Sequence, residues 1–127
     1  MGRNKFFNKI IATAQSLAAD FQTDPIITNG VDQVNFTIVM ASISDNTGVF
    51  SVQHRKYVDA NQYSTWITLE VATALDNSNS NGAGVTAAKI FNLQQVPPGQ
   101  LRVAFVAAGG TPDGTAEIAV SAKSQGA

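Results

Sequence analysis

Gln33-Val34-Asn35-Phe36-Thr37-Ile38-Val39-Met40-Ala41-Ser42-Ile43 is the stretch on which the fold turns. In an extended chain Val34, Phe36, Ile38 and Met40 share one face, and Asn35, Thr37, Val39 and Ala41 the other. That period of two marks a strand with one buried face. The second face is only weakly polar, which predicts partial cover. The same rhythm returns in Gly48-Val49-Phe50-Ser51-Val52-Gln53, Leu101-Arg102-Val103-Ala104-Phe105 and Glu117-Ile118-Ala119-Val120-Ser121.

Working outward, the segments between these runs are rich in turn formers. Ser44-Asp45-Asn46-Thr47-Gly48 predicts a turn that joins residues 33–43 to a strand over 49–57 as a hairpin. Phe50, Val52 and His54 then share one side of that strand, and Ser51, Gln53 and Arg55 the other. Residues 59–64 read as a polar connection. A strand follows from Trp66 to Thr73, and its tryptophan, the only one in the chain, is expected to plug the core. Residues 76–84 are expected to form a polar loop. Lys89–Leu93 reads as a short strand, Val96-Pro97-Pro98-Gly99 as a stiff corner, Gln100–Ala108 as an apolar strand and Gly109–Gly114 as a hairpin loop. Thr115–Lys123 completes the set.

Upstream, residues 9–17 fit a strand or a short helix. Phe21 and Ile26-Ile27 suggest an edge strand broken by Pro25, which has no N–H for a ladder. Asn29-Gly30 is a turn signal. Seven or eight short strands without a repeat or linker predict an all-β fold. The expected architecture is a single antiparallel β-sandwich, jelly-roll-like, over residues 9–127, preceded by an extended N-terminal arm over residues 1–8.

Composition narrows the function. Of the 127 residues only 13% are charged, against 44% hydrophobic. A surface of Ser, Thr, Asn, Gln and Ala desolvates easily against neighbours. Net charge is −1, but Arg3, Lys5 and Lys9 give the first nineteen residues +3 and leave −4 for the rest. Three cations are a weak footprint for a phosphate backbone, so nucleic acid is not an expected partner. A basic segment carrying Phe6 and Phe7 reads as an anchor on an acidic neighbour, and Arg3, Lys5, Phe6, Phe7 and Lys9 are the candidate partner-binding residues. No apolar run reaches the length of a membrane span, and no membrane partner is expected.

No constellation points to catalysis, a metal or a cofactor. There is no cysteine. The only histidine, His54, is followed by Arg55 and Lys56, whose charges disfavour both its protonation and a bound cation; a strand-surface or interface position is expected for it. The nine acidic residues are scattered, and Gly82-Ala83-Gly84 and Gly109-Gly110 lack the Lys-Ser/Thr and helix of a phosphate loop. Arg102, alone among apolar neighbours, reads as an outward strand charge or half of an interface ion pair. Asn35, Thr37, Gln53, Tyr57 and Tyr63 compose a possible carbohydrate-binding face, thin in stacking rings.

Residues 33–71 and 100–123 resemble small β-sandwich structural proteins of tailed bacteriophages. The elements carrying the resemblance are Gly48-Val49-Phe50-Ser51-Val52-Gln53, Trp66 near a strand start, Leu101-Arg102-Val103-Ala104-Phe105, Gly109-Gly110 with Gly114-Thr115, and Lys123 at the end of the last strand. These are core and turn features and bring no catalytic residue with them. One departure is His54-Arg55-Lys56-Tyr57-Val58-Asp59, where similar chains turn sharply. The resemblance implies a non-enzymatic virion protein at the capsid surface, made in the host cytoplasm, and above all a capsid decoration (cement) protein. Its partners would be the major capsid protein or other virion subunits, with a homo-oligomer, a trimer, as the expected state. The alternatives are a coat, neck, tail or fibre subunit, and a carbohydrate-binding β-sandwich module.

Overall fold

The computed structural model describes residues 5–43, 46–59, 62–71 and 85–124. Ten strands are described: β1 (Lys5–Ser16), β2 (Phe21–Gln22), β3 (Ile26–Ile27), β4 (Gln33–Ile43), β5 (Val49–Asp59), β6 (Gln62–Tyr63), β7 (Ile67–Val71), β8 (Val85–Gln94), β9 (Gly99–Val106) and β10 (Thr115–Ser124). They form two antiparallel sheets. The first runs β1-β10-β4-β8; in the second β9 and β5 are central, flanked by β2 and β3 on one side and by β6 and β7 on the other. Counting β2 with β3 and β6 with β7 as two interrupted strands leaves eight, distributed between the sheets as in a jelly roll.

The chain is all-β, as the alternation requires. Val34, Phe36, Ile38 and Met40 of β4, with Ile118 and Val120 of β10, face Phe50 and Val52 of β5 and Leu101, Val103 and Phe105 of β9, and all are buried. Phe21, Phe50 and Phe105 form an aromatic cluster, with ring centroids 4.6 Å apart for Phe50–Phe105 and 5.5 Å for Phe21–Phe105. Each such pair contributes about 0.5–1.5 kcal/mol beyond area burial.

Four local expectations are corrected. Residues 33–43 and 49–57 are not a hairpin: β4 pairs β10 and β8, whereas β5 pairs β9 and β7. The same holds for β9 and β10, which lie in different sheets. In both cases the apolar faces are better buried by stacking one strand over the other than by pairing them edge to edge. Trp66 does not plug the core; it is half-buried outside the second sheet. His54 is not a surface residue, being only 4% exposed, and its Nε2–H donates to the Pro97 carbonyl at 3.1 Å.

Residues 9–16 resolve as strand, the end of β1, and Leu17 follows it outside the strand. Of residues 1–8, those from Lys5 onward belong to β1, with Lys5 opposite Ser124 and Asn8 opposite Ser121. Pro25 does interrupt an edge: β2 and β3 pair successive parts of β9 on either side of it. The expected polar loop over 76–84 and the turn residues Ser44 and Asp45 lie outside the described residues.

Asn46 closes one end of the sandwich. It is fully buried; its Nδ2 donates to the carbonyls of Leu17 (2.8 Å) and Asp113 (2.9 Å), and its Oδ1 accepts from Gly48 N–H (2.9 Å). At the other end Thr28 Oγ1 donates to the Pro97 carbonyl at 2.8 Å.

Candidate functional site: an arginine and tryptophan face

The outer side of the second sheet follows from alternation. With Phe50, Val52 and His54 turned inward, β5 presents Gln53, Arg55 and Tyr57 outward. With Leu101, Val103 and Phe105 inward, β9 presents Gln100 and Arg102. The antiparallel register sets Gln53 opposite Arg102 and Arg55 opposite Gln100. Two Gln-x-Arg tripeptides, Gln53-His54-Arg55 and Gln100-Leu101-Arg102, therefore make two reciprocal pairs, successive on the outer face and separated by the inward His54–Leu101 rung. Arg102 Nε donates to Gln53 Oε1 and Arg55 Nε to Gln100 Oε1, both at 2.7 Å.

β7 pairs with β5, Gln53 opposite Thr68 and His54 opposite Ile67, which carries the preceding Trp66 over this pair of rungs. The guanidinium carbons of Arg102 and Arg55 lie 4.1 Å and 4.7 Å from its ring centroid. Arg55 also lies 4.6 Å from the Tyr63 ring, and Tyr63 meets Tyr57 edge-on at 5.7 Å. Each cation–π contact contributes on the order of 0.5–2 kcal/mol, more as water is excluded. Burial first, and the Arg55 charge second, pull Arg102 below the ordinary arginine range. Arginine nonetheless stays protonated in proteins. Among the described residues neither guanidinium has a carboxylate partner, and both hydrogen bonds are made through Nε.

Next to this cluster, β7 is a sheet edge. Among the described residues it pairs only with β5, and Ile67 (55%), Leu69 (44%) and Val71 (61%) are exposed. Such an apolar edge is a template for another strand.

The expected site residues are separated by the fold. Arg3 lies outside the described residues. Lys5, Phe6 and Phe7 are placed in β1 opposite Ser124, Lys123 and Ala122, and their side chains are outside the description. Lys9 is exposed on the same edge strand of the first sheet. Of the carbohydrate-face candidates, Gln53, Tyr57 and Tyr63 do gather beside Trp66, but Asn35 and Thr37 belong to β4 in the other sheet, on the opposite side of the sandwich. The Trp66 ring that would stack on a sugar is already in contact with two guanidiniums. Arg55 and Gln100 are the residues that sequence reading missed. The repeated Gln-x-Arg tripeptide on two strands was the available signal.

A cleft of about 530 Å³ lies elsewhere, lined by Asp32, Gln33, Gln94, Gln95 and Val96. It holds one carboxylate and no other titratable group. Among the described residues no three His, Cys, Asp or Glu gather as a metal site, and no helix is long and apolar enough to cross a membrane.

No protein-family model and no curated protein matches the chain. Solved structures do share its fold. The SPBc2 prophage-derived protein YomS is similar with a TM-score of 0.50 at 9% identity, covering 98% of this chain and 97% of that one. The structure of infectious bursal disease virus Gx strain is similar with a TM-score of 0.51 at 12% identity, and dimeric latent PorU from Porphyromonas gingivalis with 0.51 at 10%. In both, 98% of this chain is covered, against 32% of the viral chain and 13% of PorU. At these identities the likeness shows the fold alone: the jelly-roll sandwich here spans nearly the whole length of a prophage-derived chain and a fraction of a viral one.

Proposed function

We propose that this protein is a non-enzymatic virion structural component that works by contact, and specifically a capsid decoration (cement) protein that binds the assembled head and stabilises it. The observation that carries the contact reading is the outer face of the second sheet. There a ring-stacked arginine pair lies beside β7, an apolar strand that among the described residues pairs only with β5, on a lightly charged domain. The resemblance of residues 33–71 and 100–123 to phage structural sandwiches supports the virion role. The fold shared with a prophage-derived protein and a virus structure agrees with it.

The mechanism is mass action. A protein that binds only the assembled shell stabilises it by RT ln(1 + [L]/Kd), about 2.7 kcal/mol per site at a hundredfold excess over Kd. Contacts to several coat subunits at once raise the avidity through effective concentration. The basic, aromatic start of the chain, Arg3, Lys5, Phe6, Phe7 and Lys9, remains a docking element in this reading. It would act from the β1 edge of the first sheet. Self-association through β7 accounts for the expected homo-oligomer.

Co-sedimentation with heads lacking the protein is the test. Binding at fixed stoichiometry, with no particles formed by the protein alone, supports decoration. Particles formed without heads make it a coat subunit. No binding moves it to the neck, tail or fibre, or out of the virion.

A further inference from the structure

We propose that Arg55 and Arg102, held against Trp66, are a receptor for side-chain carboxylates of an acidic segment on a partner protein. The inference deepens the contact reading and rests on it, but it names a chemistry that can be tested without a capsid.

Two like charges are drawn together here by design of the register rather than by chance of the surface. Each arginine sits directly across from a glutamine, and the two pairs are successive on the outer face, with the inward His54–Leu101 rung between them. The glutamine oxygens take up the Nε hydrogens at 2.7 Å and fix the plane of each guanidinium. The indole is in contact with both. Among the described residues the terminal Nη groups have no hydrogen-bond partner. A planar pair of N–H donors on a pre-oriented guanidinium matches a carboxylate bidentately. Because rotamer freedom is already lost to the ring and the glutamines, little further ordering opposes binding.

A nucleic acid fits the same face poorly. A phosphate backbone needs a stripe of cations, whereas this cluster groups two arginines and the whole chain carries −1. A short acidic peptide segment requires two cations only.

Trp66 is the sole tryptophan, so its fluorescence reports on the site itself. The intact protein is titrated with capped hexaglutamate, with capped hexaglutamine and with inorganic phosphate, at low and moderate salt. The expected result is a saturable change in Trp66 emission with hexaglutamate alone. Affinity should fall steeply with salt and by at least about tenfold in Arg102→Gln and in Arg55→Gln, one tenfold step being about 1.4 kcal/mol. Arg102→Lys, which keeps the charge and loses the fork, should fall between. Circular dichroism of each variant separates loss of binding from loss of fold, and the wild-type titration stands even where a variant unfolds.

The proposal is overturned by no response to hexaglutamate, by an equal response to hexaglutamine, or by full binding in a variant carrying both Arg55→Gln and Arg102→Gln. Phosphate binding as tightly as hexaglutamate also overturns it. Failure here with intact capsid co-sedimentation would leave the decoration reading standing and move its docking surface elsewhere. Hexaglutamate binding without capsid binding would do the reverse.

Discussion

Replacing Asn46 with alanine is expected to cost the fold about 3–4 kcal/mol, although the change removes only one small side chain. Asn46 is wholly buried and makes three hydrogen bonds to backbone groups from three separate segments: the Leu17 and Asp113 carbonyls and the Gly48 N–H. A hydrogen bond nets about 1 kcal/mol, but a buried partner left unsatisfied costs roughly 1–3 kcal/mol. The bonds to Leu17 and Gly48 are buried, so those two groups bear the full penalty; the bond to Asp113 is only partly buried, and water can replace it. At about 2.1 cal/mol/K of unfolding entropy per residue, the loss lowers Tm by roughly 11–15 °C. Thermal denaturation followed by circular dichroism measures it, with exposed Asn29→Ala as the control. Asn46→Asp is the sharper variant. At neutral pH it sets a buried acceptor against two carbonyls and should be at least as damaging as alanine. Burial raises the folded pKa of that carboxyl above its unfolded value of about 3.9, so its deficit should shrink as pH falls through the folded pKa. A Tm drop under about 4 °C for Asn46→Ala would refute the view that this side chain ties the loop end together.

Phe105→Ala should destabilise by about 3–5 kcal/mol in urea unfolding, since it empties a buried site and breaks two ring pairs. Gly99→Ala should cost more than about 2 kcal/mol: φ is +145° and a Cβ would run into the Arg55 carbonyl, so the same assay should show a loss well beyond that of an ordinary surface change. Leu69→Lys should leave Tm within about 2 °C but abolish concentration-dependent association in sedimentation velocity, because it places a charge in the middle of the β7 edge. Deleting residues 1–9 should lower Tm in the same melt, since residues 5–9 pair with β10 from Val120 to Ser124.

Much of the strand content was legible because it depends on one-dimensional chemistry. A strand with one wet face writes its alternation into the chain, and Pro25 marked a break whatever it packed against. Pairing was not legible. Both expected hairpins joined strands through short segments of turn-forming residues, yet the short connections cross from one sheet to the other. A turn composition specifies reversal of direction; whether the reversed strand lies beside or above its predecessor depends on where the remaining apolar faces are covered. Trp66 was misplaced for a related reason. A large ring before a strand is usually core, but here the core is already filled by Phe50 and Phe105, and the two guanidiniums outside supply the favourable contact.

By itself, the sequence determined an all-β domain, its buried and exposed faces, its low charge and the positions of most strands, because side-chain alternation and backbone restriction act over a few neighbouring residues. Only the tertiary structure decided which strands pair, that β7 pairs only with β5 among the described residues, and that two Gln-x-Arg tripeptides separated by more than forty residues become one site. An antiparallel register is a long-range relation. It is set by the fit of two apolar faces across the core, and the outward residues take whatever neighbours that fit gives them.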